Sequence, residues 1–229
     1  MKKKILIYIV AYNHEKFIEK TINRIKDSVF SKYQTEILIS DDKSDDKTFQ
    51  ILKEIKKNFD KNCKISILSN PVNQGYGGNQ KIGYYYAIKN NFDYVVLLHG
   101  DGQYAPELIE ELLEKIQLDN AGAIFGSRMM TSGSALKGGM PLYKYFGNKI
   151  LTYFQKKILE SNLSEFHSGY RIYSINSLKK IPFHLNSNGY SFDTQIIIQL
   201  LFASQKISEM PIPTFYGEEI SYVNGLLYA

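Results

Sequence analysis

The chain has 229 residues, 44% of them hydrophobic, with a formal net charge of +5 and one cysteine, which suits one large globular domain with its own core. Cys63 alone excludes an intrachain disulfide and points to a reducing, cytoplasmic setting. The lysines are spread along the chain, so the charge gives no focused footprint for nucleic acid, and no run of about eighteen apolar residues is present to span a membrane.

In chain order, ILIYIV (5–10), EILIS (36–40), CKISIL (63–68) and YVVLL (94–98) read as buried strands. The start, MKKKILIYIV, has the charged and apolar parts of a signal peptide. Its apolar run is short and no small-residue cleavage site follows, so it reads as the first strand. EKFIEKTINRIKDSV, KTFQILKEIKKNF and NQKIGYYYAIKNN carry apolar residues at helical intervals between the strands. The βαβ alternation predicts a mostly parallel sheet flanked by helices on both faces.

A helix from Ala105 to Leu118, with Pro106 in its first turn, and a strand AGAIFG (121–126) continue the pattern. SRMMTSGSALKGGMP then reads either as a mobile loop over a site or as a long connector. Leu142, Phe146, Ile150, Phe154 and Ile158 recur every fourth residue among Lys144, Lys149, Lys156 and Lys157, which predicts a basic amphipathic helix. Its stripe either packs on the sheet or meets a membrane surface. A helix SFDTQIIIQLLFAS and a strand in KISEMPIP follow, and the aromatic, apolar ending SYVNGLLYA favours a truncated end over a natural one.

Ligands of open parallel sheets collect at the carboxyl ends of the strands. The polar groups expected there are Ala11, Tyr12, Asn13, His14 and Glu15, then SDDKSDDKT, NPVNQGYGGNQ, HGDGQ and GSR. Each has a plain structural reading as a cap or turn. Together they make five polar loops at one edge. The first loop, VAYNHEKF, contains no glycine, which excludes the GxGxxG fingerprint of a dinucleotide enzyme, and no GxxxxGK[ST] occurs. Arginine occurs only at Arg24, Arg128 and Arg171, and the last two lie in Gly-containing loops where a planar bidentate donor suits phosphate or carboxylate.

This ordered set, VAYNHE, ISDDKSDDKT, NQGYGGNQKIGYYYA, VVLLHGDGQYAPELIEELL, GSR and EFHSGYRIYS, resembles the family 2 inverting glycosyltransferases, which have the GT-A fold. The resemblance is strongest to the polyprenyl-phosphate glycosyltransferases related to dolichol-phosphate mannose synthase, and runs from Ile5 to about Pro213. It implies a single catalytic domain over 1–229, with a nucleotide-sugar half to about residue 128 and an acceptor half beyond it.

It further implies that Ala11, Tyr12, Asn13, Glu15, Asp41 and Asp42 hold the base and ribose. Gly77 and Gly78 would bring a helix start near the nucleotide or the sheet, and Gly100 would lie at the donor. Arg128 and, more weakly, Arg171 are expected near phosphate. His99, Asp101 and Gln103 fall where the family binds Mg²⁺ or Mn²⁺, and His99 stands where a carboxylate is usual, an exchange that Mn²⁺ tolerates better than Mg²⁺.

The implied partners are a nucleotide sugar, with a UDP-sugar favoured over GDP-mannose, and either a polyprenyl phosphate or a glycan hydroxyl, with peripheral contact at the cytoplasmic membrane face. A hydroxyl acceptor needs a base, for which Glu165 or Asp193 is nominated ahead of His167. Two other readings stay open: a sugar-phosphate nucleotidyltransferase, though its basic Gly-rich first loop is missing, and a catalytically silent nucleotide-sugar-binding module.

Overall fold

The computed structural model describes residues 2–216, so the SYVNGLLYA ending lies outside the described residues. The elements are β1 (Lys4–Ala11), α1 (Ile18–Asn23), α2 (Asp27–Lys32), β2 (Gln34–Asp41), α3 (Thr48–Asn58), β3 (Lys64–Ser69), α4 (Tyr76–Lys89) and β4 (Tyr94–His99). They continue with α5 (Ile109–Leu118), β5 (Ala123–Ser127), α6 (Ser134–Lys137), α7 (Leu142–Ile158), β6 (Arg171–Ser174), α8 (Ile175–Leu178), α9 (Phe192–Phe202) and β7 (Ile207–Pro211).

The strands form one sheet in the order β3-β2-β1-β4-β6-β5-β7. Side chains alternate across each strand, so Ile5, Ile7 and Ile9 enter one core and Leu6, Tyr8 and Val10 the other. Both faces are covered, which is why the strands read as continuous apolar runs. The first core takes Ile18 and Ile22 of α1, Val29 of α2, Leu52 of α3 and Leu112 of α5. The second takes Tyr84 and Ala87 of α4 and Phe192, Ile196 and Leu200 of α9. Gly83 lets α4 lie close on the sheet, because a Cβ there would come within 2.3 Å of the Tyr8 ring.

Three expectations are corrected. The helix expected over EKFIEKTINRIKDSV is two short helices, α1 and α2, broken at Arg24–Lys26. The strand β5 does not follow β4 in the sheet: β6 lies between them, antiparallel to both, with Arg171 opposite Leu97 and Phe125. Four residues, RIYS, are too short a run to show periodicity. The stripe of α7 does not pack on the sheet, since Leu142, Phe146, Ile150, Phe154 and Ile158 are all exposed, and Tyr145, Asn148 and Thr152 face inward instead.

Candidate active site

The parallel register brings the strand ends together, with Ala11 beside Asp41 and Val10 beside His99. The loops after β1 and β2 are then laced to each other. Asn13 N–H donates to Ser44 Oγ (2.9 Å) and the Asp45 N–H to Asn13 Oδ1 (2.8 Å). The Lys47 N–H donates to Glu15 Oε2 (3.0 Å), and the Glu15 N–H to Asp46 Oδ2 (3.0 Å). Asn13 takes φ 57°, a left-handed turn that asparagine tolerates. Asp42 Oδ1 accepts from Asn70 Nδ2 (2.7 Å) and the Gln74 N–H (2.8 Å), which ties in the third loop. Asp41 lies at the centre of this lacing, bonded by Ser44 Oγ, and its burial raises its pKa.

The turn after β4 carries Asp101. Its Oδ1 accepts the Gln103 N–H (2.9 Å), while among the described residues no hydrogen bond reaches Oδ2. Arg24 props this turn from α1, donating to the Gly102 carbonyl (3.0 Å) while gripping Glu107 with Nε (2.7 Å) and Nη2 (3.0 Å). A Cβ on Gly100 would lie 2.8 Å from His14 Nδ1, so glycine allows the first loop to close on the turn. Burial pushes the Asp101 carboxyl up and the His14 imidazole down, and the attraction between their charged forms opposes both shifts. Asp101 and Gln103 line a cavity of about 690 Å³ together with Lys20, Arg24, Lys137 and Tyr216.

His99 is held on the side away from Asp101 by its Nε2. Its ring is wedged against Tyr76, Tyr104 and Gly169, and its Nε2 lies 3.1 Å from Tyr76 Oη. Tyr76 gives its one proton to Asp193 Oδ2 (2.9 Å), so His99 donates from Nε2 to Tyr76, and the lone pair of the neutral ring lies on Nδ1. Burial lowers the His99 pKa to about 4, which keeps the ring neutral.

The side chains expected as bases and phosphate ligands lie in bonds of their own. Glu165 is buried and receives the Arg128 N–H (2.7 Å), Arg128 Nε (2.9 Å) and Asn148 Nδ2 (2.8 Å). Burial would raise its pKa, but Arg128 holds it below the usual carboxylate range, a poor setting for a base. Asp193 is closed in by Tyr76, by Gln80 Nε2 (3.2 Å) and by Arg171 at 3.4 Å. Arg171 is wholly buried and donates to the carbonyls of Ser168, Phe166 and Asp193, so it braces β6 and α9 and does not reach a phosphate. Arg128 spends its fork on Glu165, the His167 carbonyl and the Tyr216 hydroxyl.

Gly77 and Gly78 point their N–H groups at the Asn188 carbonyl (2.7 and 3.2 Å). The helix start is therefore bonded by the 186–189 loop. A Cβ on Gly77 would lie 2.6 Å from both Ser187 O and Phe192 Cβ.

Arg24, Tyr76, Lys20 and Lys137 join the site without having been nominated for it, and His14, expected only as one of the strand-end polar groups, closes on the Asp101 turn. His14 stands in VAYNHE, Tyr76 in NQGYGG and Lys137 in the SRMMTSGSALKGGMP segment, all already singled out, whereas Lys20 carries no signal in the sequence.

Among the described residues no group of three or more His, Cys, Asp and Glu side chains forms a metal cage. The donor set fits a Mg²⁺ or Mn²⁺ ion that arrives with a diphosphate, since Mg²⁺ is commonly held by one or two carboxylates plus phosphate oxygens and water. Asp101 supplies such a carboxylate.

A mostly parallel sheet with one antiparallel insertion, and acidic loops gathered at its carboxyl edge, defines the GT-A class of glycosyltransferases. Residues 6–181 match Glycosyl transferase family 2, and the chain belongs to that family. It is 29% identical over 224 residues to the UDP-N-acetylglucosamine–dolichyl-phosphate N-acetylglucosaminyltransferase of Methanococcus voltae, covering 93% of this chain and 87% of that protein. It is 23% identical over 216 residues to the polyprenol monophosphomannose synthase of Mycolicibacterium smegmatis, covering 94% of this chain and 78% of that one.

Among solved structures, glucosyl-3-phosphoglycerate synthase from Mycobacterium tuberculosis with Mg²⁺ and UDP aligns with a TM-score of 0.66 at 15% identity, over 96% of this chain and 73% of that one. S. aureus TarS with UDP aligns with a TM-score of 0.60 at 19% identity, over 91% of this chain and 57% of that chain. This chain thus spans little more than half of that TarS chain. At these identities the likeness shows the fold.

Proposed function

We propose that this chain transfers a sugar from a nucleoside-diphosphate donor to a polyprenyl phosphate with inversion at the anomeric carbon. One observation carries the choice of acceptor. The cavity beside Asp101 is lined by the cations Lys20, Arg24 and Lys137, and Asp101 is its one acidic side chain. Glu165 and Asp193, the other carboxylates considered, are buried in bonds of their own. A sugar hydroxyl would need a base to take its proton, whereas a phosphate monoester arrives ionised. The cavity offers cations, and neither Glu165 nor Asp193 is free to serve as a base, which suits the phosphate.

In this reading a phosphate oxygen of the acceptor attacks the anomeric carbon from the face opposite the leaving group. The bond from that carbon to the diphosphate oxygen breaks, and the nucleoside diphosphate departs with the electron pair. Lys20 and Lys137 draw the acceptor phosphate into the cavity. Asp101 orients the diphosphate end, and a bound divalent cation would neutralise its charge. Ala11, Tyr12, Asn13, Glu15, Asp41 and Asp42 frame the nucleotide half up to about residue 128, with Asn13 and Glu15 acting by holding the loops together. The segment from about 129 onward supplies the acceptor half.

A UDP-sugar is favoured because the M. voltae relative is named for one and both solved neighbours carry UDP. The lipid acceptors named in the M. voltae and M. smegmatis relatives favour work at a membrane face, where a lipid phosphate would be met. The test is incubation with UDP-sugars and GDP-mannose, with Mn²⁺ or Mg²⁺, with a polyprenyl phosphate or an oligosaccharide. Lipid-linked sugar from a UDP donor is the expected product. Transfer to the oligosaccharide alone would reassign the acceptor, and no metal-dependent donor turnover would sink the reading.

A further inference from the structure

The exposed face of α7 has no role in the site described above. Leu142, Phe146, Ile150, Phe154 and Ile158 lie along it at every fourth position, between 56% and 77% exposed, and Tyr143 and Tyr153 widen the strip. A helix of 17 residues is about 25 Å long, so this is a continuous apolar band on the surface. Contiguous apolar surface on this scale marks an interaction site.

The helix cannot roll to hide the band. On its inward side Asn148 donates to Glu165, Thr152 donates to Asn148 Oδ1 (3.1 Å), and Tyr145 packs with Ala135 and Met140. Rotation would leave the buried Glu165 and Arg128 pair short of a donor. The outward position of the stripe is therefore fixed by polar bonds on the other side.

Charge identifies the occupant. Between Leu142 and Ile158 there are four lysines, Lys144, Lys149, Lys156 and Lys157, and no acidic residue. Lys149 and Lys157 hold their ammonium groups 4.7 and 4.6 Å from the Tyr145 and Tyr153 rings, beside the band. A second copy of the chain meeting this face about a two-fold axis would set lysines against lysines. A surface that is apolar below and anionic above satisfies both features, and an amphipathic helix of this kind lies in the plane of the bilayer interface. No helix among the described residues is long and apolar enough to cross a membrane.

We propose that the outward face of α7 docks the protein onto anionic lipid, with the apolar stripe in the headgroup boundary and the lysines among lipid phosphates. Docking follows from this surface alone, and its service to catalysis rests on the acceptor reading above. Lys137, Gly138 and Gly139, which precede α7 in the chain, line the cavity of Asp101. The helix would thus bring the cavity close to the bilayer, where a polyprenyl phosphate presents its head.

The test is flotation of the 229-residue chain with vesicles of phosphatidylcholine, with or without about one-third phosphatidylglycerol. Binding is expected on the anionic vesicles and should weaken as salt is raised. Exchanging Phe146, Ile150, Phe154 and Ile158 together for Ser should reduce partitioning by about 100-fold, with circular dichroism and monomer mass unchanged. Exchanging Lys149, Lys156 and Lys157 for Gln should weaken binding to anionic vesicles alone.

The proposal is overturned by wild-type protein that ignores anionic vesicles, by a serine variant that binds as well as wild type, or by a wild-type dimer that the serine variant splits. Turnover on a short, water-soluble polyprenyl phosphate should be the same in wild type and serine variant. If neither turns over while wild type still floats, the acceptor reading fails and the docking stands.

Discussion

Arg128 and Glu165 form a buried pair in which the carboxylate receives both the Arg128 backbone N–H (2.7 Å) and its Nε (2.9 Å), joining β5 to the segment before β6. Asn148 brings α7 to the same carboxylate (2.8 Å). Burial alone would weaken the arginine cation, but Glu165 beside it raises its pKa above the usual guanidinium value. Replacing Glu165 with Ala leaves that cation buried and unpaired, and should cost about 3–5 kcal/mol in urea unfolding. A general base would behave differently: Glu165→Gln would then lower kcat while stability held.

Asp101 is predicted to trade stability for function. Burial raises its pKa, so the charged form is held at a cost to the fold, and Asp101→Asn should unfold at the same or higher urea concentration than wild type. The same change should reduce sugar transfer by at least about 100-fold. Calorimetric titration with Mn²⁺ and UDP should show the loss in binding.

Gly77 tests the role of the α4 start. A Cβ there meets backbone oxygens of Ser187 and Gly189 and the Phe192 Cβ, none of which is the end of a flexible chain. Gly77→Ala should therefore destabilise the protein by about 3 kcal/mol. UDP affinity of the protein that remains folded should be close to wild type, and a selective loss of UDP binding at full stability would restore the nucleotide role.

Acid sensitivity should come from histidines held neutral. Burial lowers both His99 and His167 from 6.5 to about 4. Between those values the unfolded chain takes up protons that the folded chain refuses. The stability is thus fully present above about pH 6.5 and is lost as pH falls toward about 4, by a few kcal/mol in all. Urea midpoints measured across this window should fall steadily in wild type, and His99→Gln should flatten the slope.

The alternating strands and helices were legible because burial on both faces of the sheet leaves continuous apolar runs such as ILIYIV. The loops at the strand ends were legible because polar residues crowd where each run stops. The role of each side chain was less legible. Arg171 looked like a phosphate ligand from its Gly-containing loop, yet β6 inserts it between β4 and β5 with its guanidinium among carbonyls. His99 occupies a carboxylate's position, and only the Tyr76 and Asp193 chain shows where its proton points.

The opening strands, the acidic DDKSDD loop and the HGDGQ turn were determined by local pattern, since period and polarity act over a few residues. Which carboxylates face the cavity, and which way α7 turns its stripe, were decided by contacts between residues distant in sequence. Asn148 to Glu165, Arg24 to Gly102 and Tyr76 to Asp193 are such contacts. A buried polar group must find its partner wherever the fold brings one, and no local periodicity records that choice.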